Sequence, residues 1–171
     1  MNYFKQETDR LIFRKVVEED IQHWVKFFEN NNLLRFMGID LSKGKDILAR
    51  DWILKQLERY ETQGLGHLSV IEKESGSLIG MGGILPRTIG DREEYEIAYS
   101  LIPAYWGKGY GTEIAIQIKE FGFANKISGR FISIIDKQNT ASINVAKKNG
   151  MKVLKETEYL GMQVYVFGME K

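Results

Sequence analysis

The sequence predicts a mixed α/β fold, and three observations carry that prediction. Segments with the period-2 alternation of strands are interleaved with segments whose apolar residues recur at helical spacing. Two strand-like segments, 67–73 (HLSVIEK) and 78–85 (LIGMGGIL), flank a stretch with the composition of a hairpin turn, EKESGS. A strand, helix, strand run occupies the middle of the chain between such hairpins.

Taken in order, a short strand is predicted from Arg10 to Lys15 and a helix from Glu18 to Glu29. The helix carries Ile21, Trp24, Val25 and Phe28 at helical spacing, with Glu18, Glu19 and Asp20 at the end the helix dipole favours for acids. A second helix runs from Lys45 to Thr62, with Ile47, Ile53, Leu54 and Leu57 as apolar positions, and stops at Gly64. After the hairpin, EEYEIAYSLI (93–102) alternates Tyr95, Ile97, Tyr99 and Leu101 against Glu94, Glu96, Ala98 and Ser100, a strand with two chemically different faces. A third helix extends to Asn125 with Ile114, Ala115, Ile118, Phe121 and Gly122 on one face. The β-branched strand RFISIID (130–136), a short helix from Thr140 to Asn149 closed by Gly150, and strands at 151–157 and 160–169 complete the chain.

Composition narrows the function. The 171 residues, 43% of them apolar, fit one domain spanning 1–171. Lys and Arg number 24 against 23 Asp and Glu, and no block of like charge occurs, so the balance asks for neither nucleic acid nor an anionic membrane. Cysteine is absent, which excludes disulfides and a thiol-borne intermediate. The two histidines, His23 and His67, lie in no metal-ligand spacing, so no metal site is expected. The opening MNYFKQETDR has no apolar signal-like run and no stretch approaches a membrane span, which predicts a cytoplasmic protein.

One stretch is locally costly. YWGKGYGTEI (105–114) opens a helix with Gly107, Gly109 and Gly111, although glycine costs about 1 kcal/mol relative to alanine inside a helix. It also sets Lys108 at the end where the dipole is already positive. Unpaired N–H groups at such a start cradle phosphate, and Lys108 adds a point charge. A Walker loop requires GxxxxGK and does not occur. A dinucleotide fingerprint, GxGxxG, has Thr112 at its third glycine, while Asp136 at the end of the following strand keeps that reading open.

Trp106-Gly107-Lys108-Gly109-Tyr110-Gly111 followed by Thr112 resembles the acetyl-CoA loop of the GNAT acetyltransferase superfamily, Q/R-G-x-G-x-G/A, with Trp106 at the first position. In that it is similar to the ribosomal-protein N-terminal acetyltransferase (RimJ/RimL-like) branch. NTASINVAKKNGM (139–151) resembles the family's downstream motif through Asn139, Ser142, Lys148 and Gly150. TDRLIFRKVVEED (8–20) resembles the branch's first strand and acidic first helix.

The resemblance implies a mostly antiparallel central sheet with helices on both faces and a splayed pair of parallel strands. Acetyl-CoA would be the cosubstrate and a primary amine the acceptor, either a small molecule or a protein N-terminus; relatives are commonly dimers, which allows a homodimer. Along the first splayed strand, Ile97, Tyr99, Ser100, Leu101 and Ile102 would meet the pantetheine arm, with an N–H near Leu101 meeting the thioester oxygen. Residues 106–112 would hold the pyrophosphate, with Asn139, Ser142 and Lys148 as further contacts. Glu96 is the candidate base, acting through water, and Ser142 the candidate donor to the departing thiolate. The tyrosine many members place seven residues after the motif asparagine is Ala146 here.

Each residue also has a plainer reading. Glu94 and Glu96 could line a solvated face, Asn139 could cap a helix, Ser142 could bond locally, and Lys108 could be a surface lysine. Trp24, Phe27, Phe28 and Phe36 are expected in the core, and a lone His67 in a structural role. A non-catalytic acyl-CoA module and a dinucleotide-binding oxidoreductase are the competing functions. The segments 28–40 and 86–93 are expected to line the acceptor pocket, and neither contains a diagnostic motif.

Overall fold

A computed structural model describes residues 2–171. Strands β1 (Lys5–Glu7), β2 (Leu11–Arg14), β3 (Gly66–Glu72), β4 (Leu78–Ile89), β5 (Arg92–Leu101), β6 (Arg130–Asp136), β7 (Lys152–Tyr159) and β8 (Met162–Glu170) form one sheet in the order β1-β2-β3-β4-β5-β6-β8-β7. Every neighbouring pair is antiparallel except β5 and β6. Those two are parallel and meet at a single ladder pair, Glu96 with Ile132, then part. A wedge therefore opens in mid-sheet on the C-terminal side of Glu96.

Helices cover both faces, as the sequence implied. On one face α3 (Tyr110–Ala124) and α4 (Thr140–Lys148) build a core in which Ile114, Ala115, Ile118 and Phe121 pack on Leu68, Ile84, Ile97 and Phe131. The predicted apolar stripe of α3 is the one that is buried. On the other face α1 (Ile21–Trp24), the turn that follows it and α2 (Lys45–Gln63) pack Trp24, Phe27, Ile53 and Tyr60 against Met81 and Ile102. Gly64 ends α2 in the left-handed region at φ 67°, the conformation glycine adopts at little cost.

One expectation is corrected, and one strand was not anticipated. The helix predicted over Glu18–Glu29 is one α-turn between 3-10 turns, Glu18–Asp20 and Val25–Phe28. At three residues per turn, side chains at i and i+3 eclipse. Trp24 and Phe27 accordingly stack with ring centroids 4.5 Å apart and planes 3° off parallel. The aromatic pair is best served by the tighter winding. The strand not anticipated is β1, three residues at the sheet edge with a single buried side chain, Gln6, too short to leave an alternating signature.

Candidate functional site

The wedge exposes a backbone edge. Just past β5 the Ile102 N–H donates to the Ile79 carbonyl on the β4 side, whereas on β5 the Ile97 carbonyl accepts from Ser133 Oγ of β6 at 2.9 Å. Alternation then turns the backbone groups of Ile97, Tyr99 and Leu101 into the wedge and those of Ser100 and Ile102 toward β4. Ile102, expected among the ligand contacts, has its N–H committed to β4 and its side chain buried in the α2-side core. The wedge opens into a cleft of about 460 Å³ lined from the α3 side by Ile97 and Tyr99, from α4 by Asn139 and Ser142, and from the other face by Glu96, Ala98 and Ser100.

The glycine loop sits at the end of β5. Trp106 Nε1 donates to the Leu101 carbonyl at 2.9 Å and staples the loop to the strand. Gly107 and Gly109 both have positive φ, 73° and 81°, and Gly109 is the N-cap of α3 with no side-chain cap bond. The first helical bond is Glu113 N–H to the Gly109 carbonyl, so the N–H groups of Tyr110, Gly111 and Thr112 lack helical partners. Gly111 lies under the Tyr99 ring; a Cβ there would meet Tyr99 Cε2 at 3.3 Å. The Tyr110 side chain is turned inward onto Glu72, so only its backbone faces the loop. Lys108 is exposed, over the Tyr105 ring at 5.2 Å.

Thr8 and Arg10, at the start of the TDRLIFRKVVEED stretch, have a physical role that the sequence did not reveal. Thr8 Oγ1 donates to Glu113 Oε1 at 2.6 Å, and Arg10 Nε donates to Oε2 at 2.7 Å. Arg10 Nη1 also donates to the Lys108 carbonyl at 3.0 Å, and its guanidinium lies 4.2 Å from the centre of the Tyr110 ring. Burial would raise the Glu113 pKa, but the bonds from Thr8 and Arg10 outweigh it and hold the carboxyl below the usual range. The one acid in the first turn of α3 is thus neutralised by Arg10, and the helix start keeps its positive potential.

The second motif comes to the same place. Asn139 caps α4 by accepting the Ser142 N–H at 3.2 Å while lining the cleft, so its two readings coexist. Lys148, one helix length away, joins Gly109, Thr112 and Thr8 around a shallow depression beside the loop. Ala146 is buried and supplies no hydroxyl. Tyr99 does bring one into the cleft: its OH is buried without a hydrogen-bond partner among the described residues, and burial pushes its pKa up to about 12. The nearby Ser142 hydroxyl opposes that shift, although the pair is not aligned as a hydrogen bond.

The polar face of β5 is not solvated. Glu94 is 7% exposed and bound by Arg130; Glu96 is 8% exposed, its Oε2 accepting from Arg87 Nε at 2.7 Å. The Glu96 charge and hydrogen bond raise the Arg87 pKa against the opposing effect of burial. Around this pair stand residues the sequence reading passed over, Trp52, Gln56 and Arg59 of α2, together with His67, left there in a structural role. Trp52, Gln56 and Arg59 are spaced four and three residues apart on one helix face, a signal that could have marked them. Phe28 is in the core as expected and also borders the cleft, whereas Phe36 is half-buried there with residues 37–40; of 86–93 only Arg87 lines it.

Comparison with known proteins agrees with the architecture. A family profile described as "Acetyltransferase (GNAT) domain" matches residues 10–152. The chain is 32% identical over 103 residues to the uncharacterized protein YkkB of Bacillus subtilis (strain 168), a match that spans 60% of each chain. It is 25% identical over 146 residues to the uncharacterized N-acetyltransferase YoaA of the same organism, across 85% of this chain and 81% of that one. Among solved structures, the ribosomal-protein-S5-alanine acetyltransferase of Vibrio fischeri superposes with a TM-score of 0.77 at 15% identity, over 97% of this chain and 96% of that one.

Proposed function

This chain belongs to the GNAT acetyltransferase family, and from that membership we propose that it transfers an acetyl group from acetyl-CoA to a primary amine by direct attack in a ternary complex. One observation carries the reading: the free backbone edge of β5 runs between a helix start rich in unpaired N–H groups and a cleft whose floor holds a buried carboxylate. The residues fit the cosubstrate. Gly109, Tyr110, Gly111 and Thr112 offer backbone donors for a pyrophosphate, Lys108 and Lys148 offer charge, and Tyr99 and Leu101 offer strand-like pairing.

Acetyl-CoA, when bound, supplies a thioester whose carbonyl carbon is the electrophile. The protein's own part is to orient, polarise and move protons. A backbone N–H of the wedge, at Leu101, polarises the carbonyl oxygen. Glu96, steadied through Oε2 by Arg87, has Oε1 left to take a proton from the acceptor ammonium through water. Ser142, with the Tyr99 hydroxyl beside it, donates toward the departing sulfur. With no cysteine in the chain, no thiol can carry the acetyl group between partners.

The test has two stages. Acetyl-CoA is expected to raise Tm, and stabilisation by NADH alone would overturn the reading in favour of a dinucleotide site. Free CoA release is then followed across a panel of amines and N-terminal peptides. Glu96→Gln is expected to lower kcat by roughly 100-fold at neutral pH, the usual scale of a lost general base. Unchanged turnover in that variant would remove Glu96 from the mechanism. Acetyl-CoA binding with no turnover on any amine would favour a non-catalytic acyl-CoA module.

A further inference from the structure

The cleft floor holds more hydrogen-bond donors than the protein satisfies. Gln56 Oε1 accepts from the His67 backbone N–H at 3.0 Å and from Arg59 Nη1 at 3.2 Å, which places the Arg59 guanidinium against the start of β3. Arg59 is half-buried, lines the cleft and has no carboxylate partner among the described residues. Trp52 stacks on the His67 ring at 5.6 Å and 10°, also lining the cleft. Trp52 Nε1 and both ring nitrogens of His67 are buried without hydrogen-bond partners among the described residues. Burial, then the charges of Arg59 and Arg87, push the His67 pKa down to about 3, so the ring is neutral and keeps one N–H.

Trp52, His67 and Arg59 thus bring three side-chain donors to one wall of the cleft, and of these only the Arg59 guanidinium has a partner, Gln56 Oε1. A buried donor left unpaired is destabilising, and a guanidinium against such a wall matches an anion with two acceptor oxygens. The other charges near the cleft are already engaged. Lys43 pairs with Asp51, Lys55 with Glu58, Asp40 accepts from Ser42, Asp136 accepts from the Gln138 N–H, and Arg87 holds Glu96. Arg59 is the cation left over.

We infer that the acceptor is an amino-acid-sized amine that carries its own carboxylate, with the carboxylate held by Arg59, Trp52 Nε1 and His67 and the amine turned toward Glu96. This rests on the transferase reading above and adds the substrate class to it. Recognition by donors that are buried in the free protein rejects an analogue lacking the acceptor, because the donors stay unpaired. A protein N-terminus presents a peptide carbonyl at the corresponding place, so it is disfavoured.

The experiment compares matched pairs: an α-, a β- and a γ-amino acid, each against its own carboxamide and against a short peptide amide, with free CoA release as readout. For at least one pair the acid is expected to exceed its carboxamide at least tenfold in kcat/KM. Arg59→Gln is expected to bring that ratio toward one through KM for the acid, and Arg59→Lys to restore part of it. The rise of Tm with acetyl-CoA reports that both variants fold and bind the cosubstrate. Carboxamides or peptide amides used as well as the acids would overturn the inference and leave the transferase reading intact, as would an acid preference that survives Arg59→Gln. Turnover of no amine at all, with acetyl-CoA still binding, would overturn both.

Discussion

The two sides of β5 both present unfilled hydrogen-bond donors, but of different kinds. Toward α3 they are backbone N–H groups at a solvent-facing helix start, fixed by two left-handed glycines and the Arg10 clamp. Toward α2 they are side-chain donors of Trp52, His67 and Arg59, the first two buried. Exposed donors are hydrated and cost the free protein little, whereas buried ones cost about 1–3 kcal/mol apiece. The α3 side is therefore a cheap standing site whose strength lies in conformation. The α2 side keeps its donors at a cost to stability, which is the stronger sign that something fills them.

The largest test breaks the α3 side alone. Gly109→Val places a β-branched residue at φ 81°, strained by about 1–3 kcal/mol, and shifts the N–H groups of residues 110–112. Acetyl-CoA affinity by calorimetry is expected to fall roughly 100-fold, about 2.7 kcal/mol. Unchanged affinity would mean that the loop is only a turn.

The second test addresses the α2 side through pH. The folded pKa of His67, about 3, lies below its unfolded value of about 6.5, so between those values the unfolded chain binds the extra proton. Stability from this group is fully present above pH 6.5 and is lost as pH falls, by up to about 1.4 kcal/mol per unit. His67→Phe retains a ring against Trp52 and removes the titration. Its Tm is expected to fall less steeply than that of the parent between pH 6.5 and 4. Parallel curves would mean that His67 is hydrated and protonates in place.

These two sides also differ in how far they could be read ahead of the structure. The α3 side was legible because its parts are local: the glycine spacing at 107–111, and the asparagine and serine three residues apart at 139 and 142. The sheet order around the wedge followed from resemblance and from the strand, helix, strand run. The α2 side was legible only at Glu96 and in the one-face spacing of 52, 56 and 59; that these meet 67 and 87 follows only from the packing of α2 over β3, β4 and β5. Alternation along 94–100 identified a polar face, but nothing local told that α2 and the arginines at 87 and 130 would bury it. The Arg10–Glu113 clamp spans 103 residues of sequence, so Arg10 read as one more charged residue in a first strand.

A third test sharpens the α3 side. Lys108 is exposed, so its contribution to an anion is a screened point charge. Lys108→Glu is expected to weaken acetyl-CoA roughly tenfold at low salt, the scale of reversing one charge a few ångströms from another in water. Because the Debye length is about 10 Å at 0.1 M and about 3 Å at 1 M, the deficit should shrink as salt is added. A deficit independent of salt would point to loop distortion instead.

The smallest effect falls at the neighbouring helix start, where the protein supplies its own cap. Asn139 Oδ1 accepts the Ser142 N–H, so Asn139→Ala removes a cap and should cost about 1 kcal/mol. For a chain of this size that is about 2–4 °C of Tm in the absence of ligand. Asn139→Asp keeps an acceptor at the cap but adds a negative charge in the cleft that α3 holds positive. It should retain most of the Tm and still weaken acetyl-CoA. If both variants lost the same Tm and neither changed affinity, Asn139 would be a cap alone, and the cleft would depend on the α3 start without help from α4.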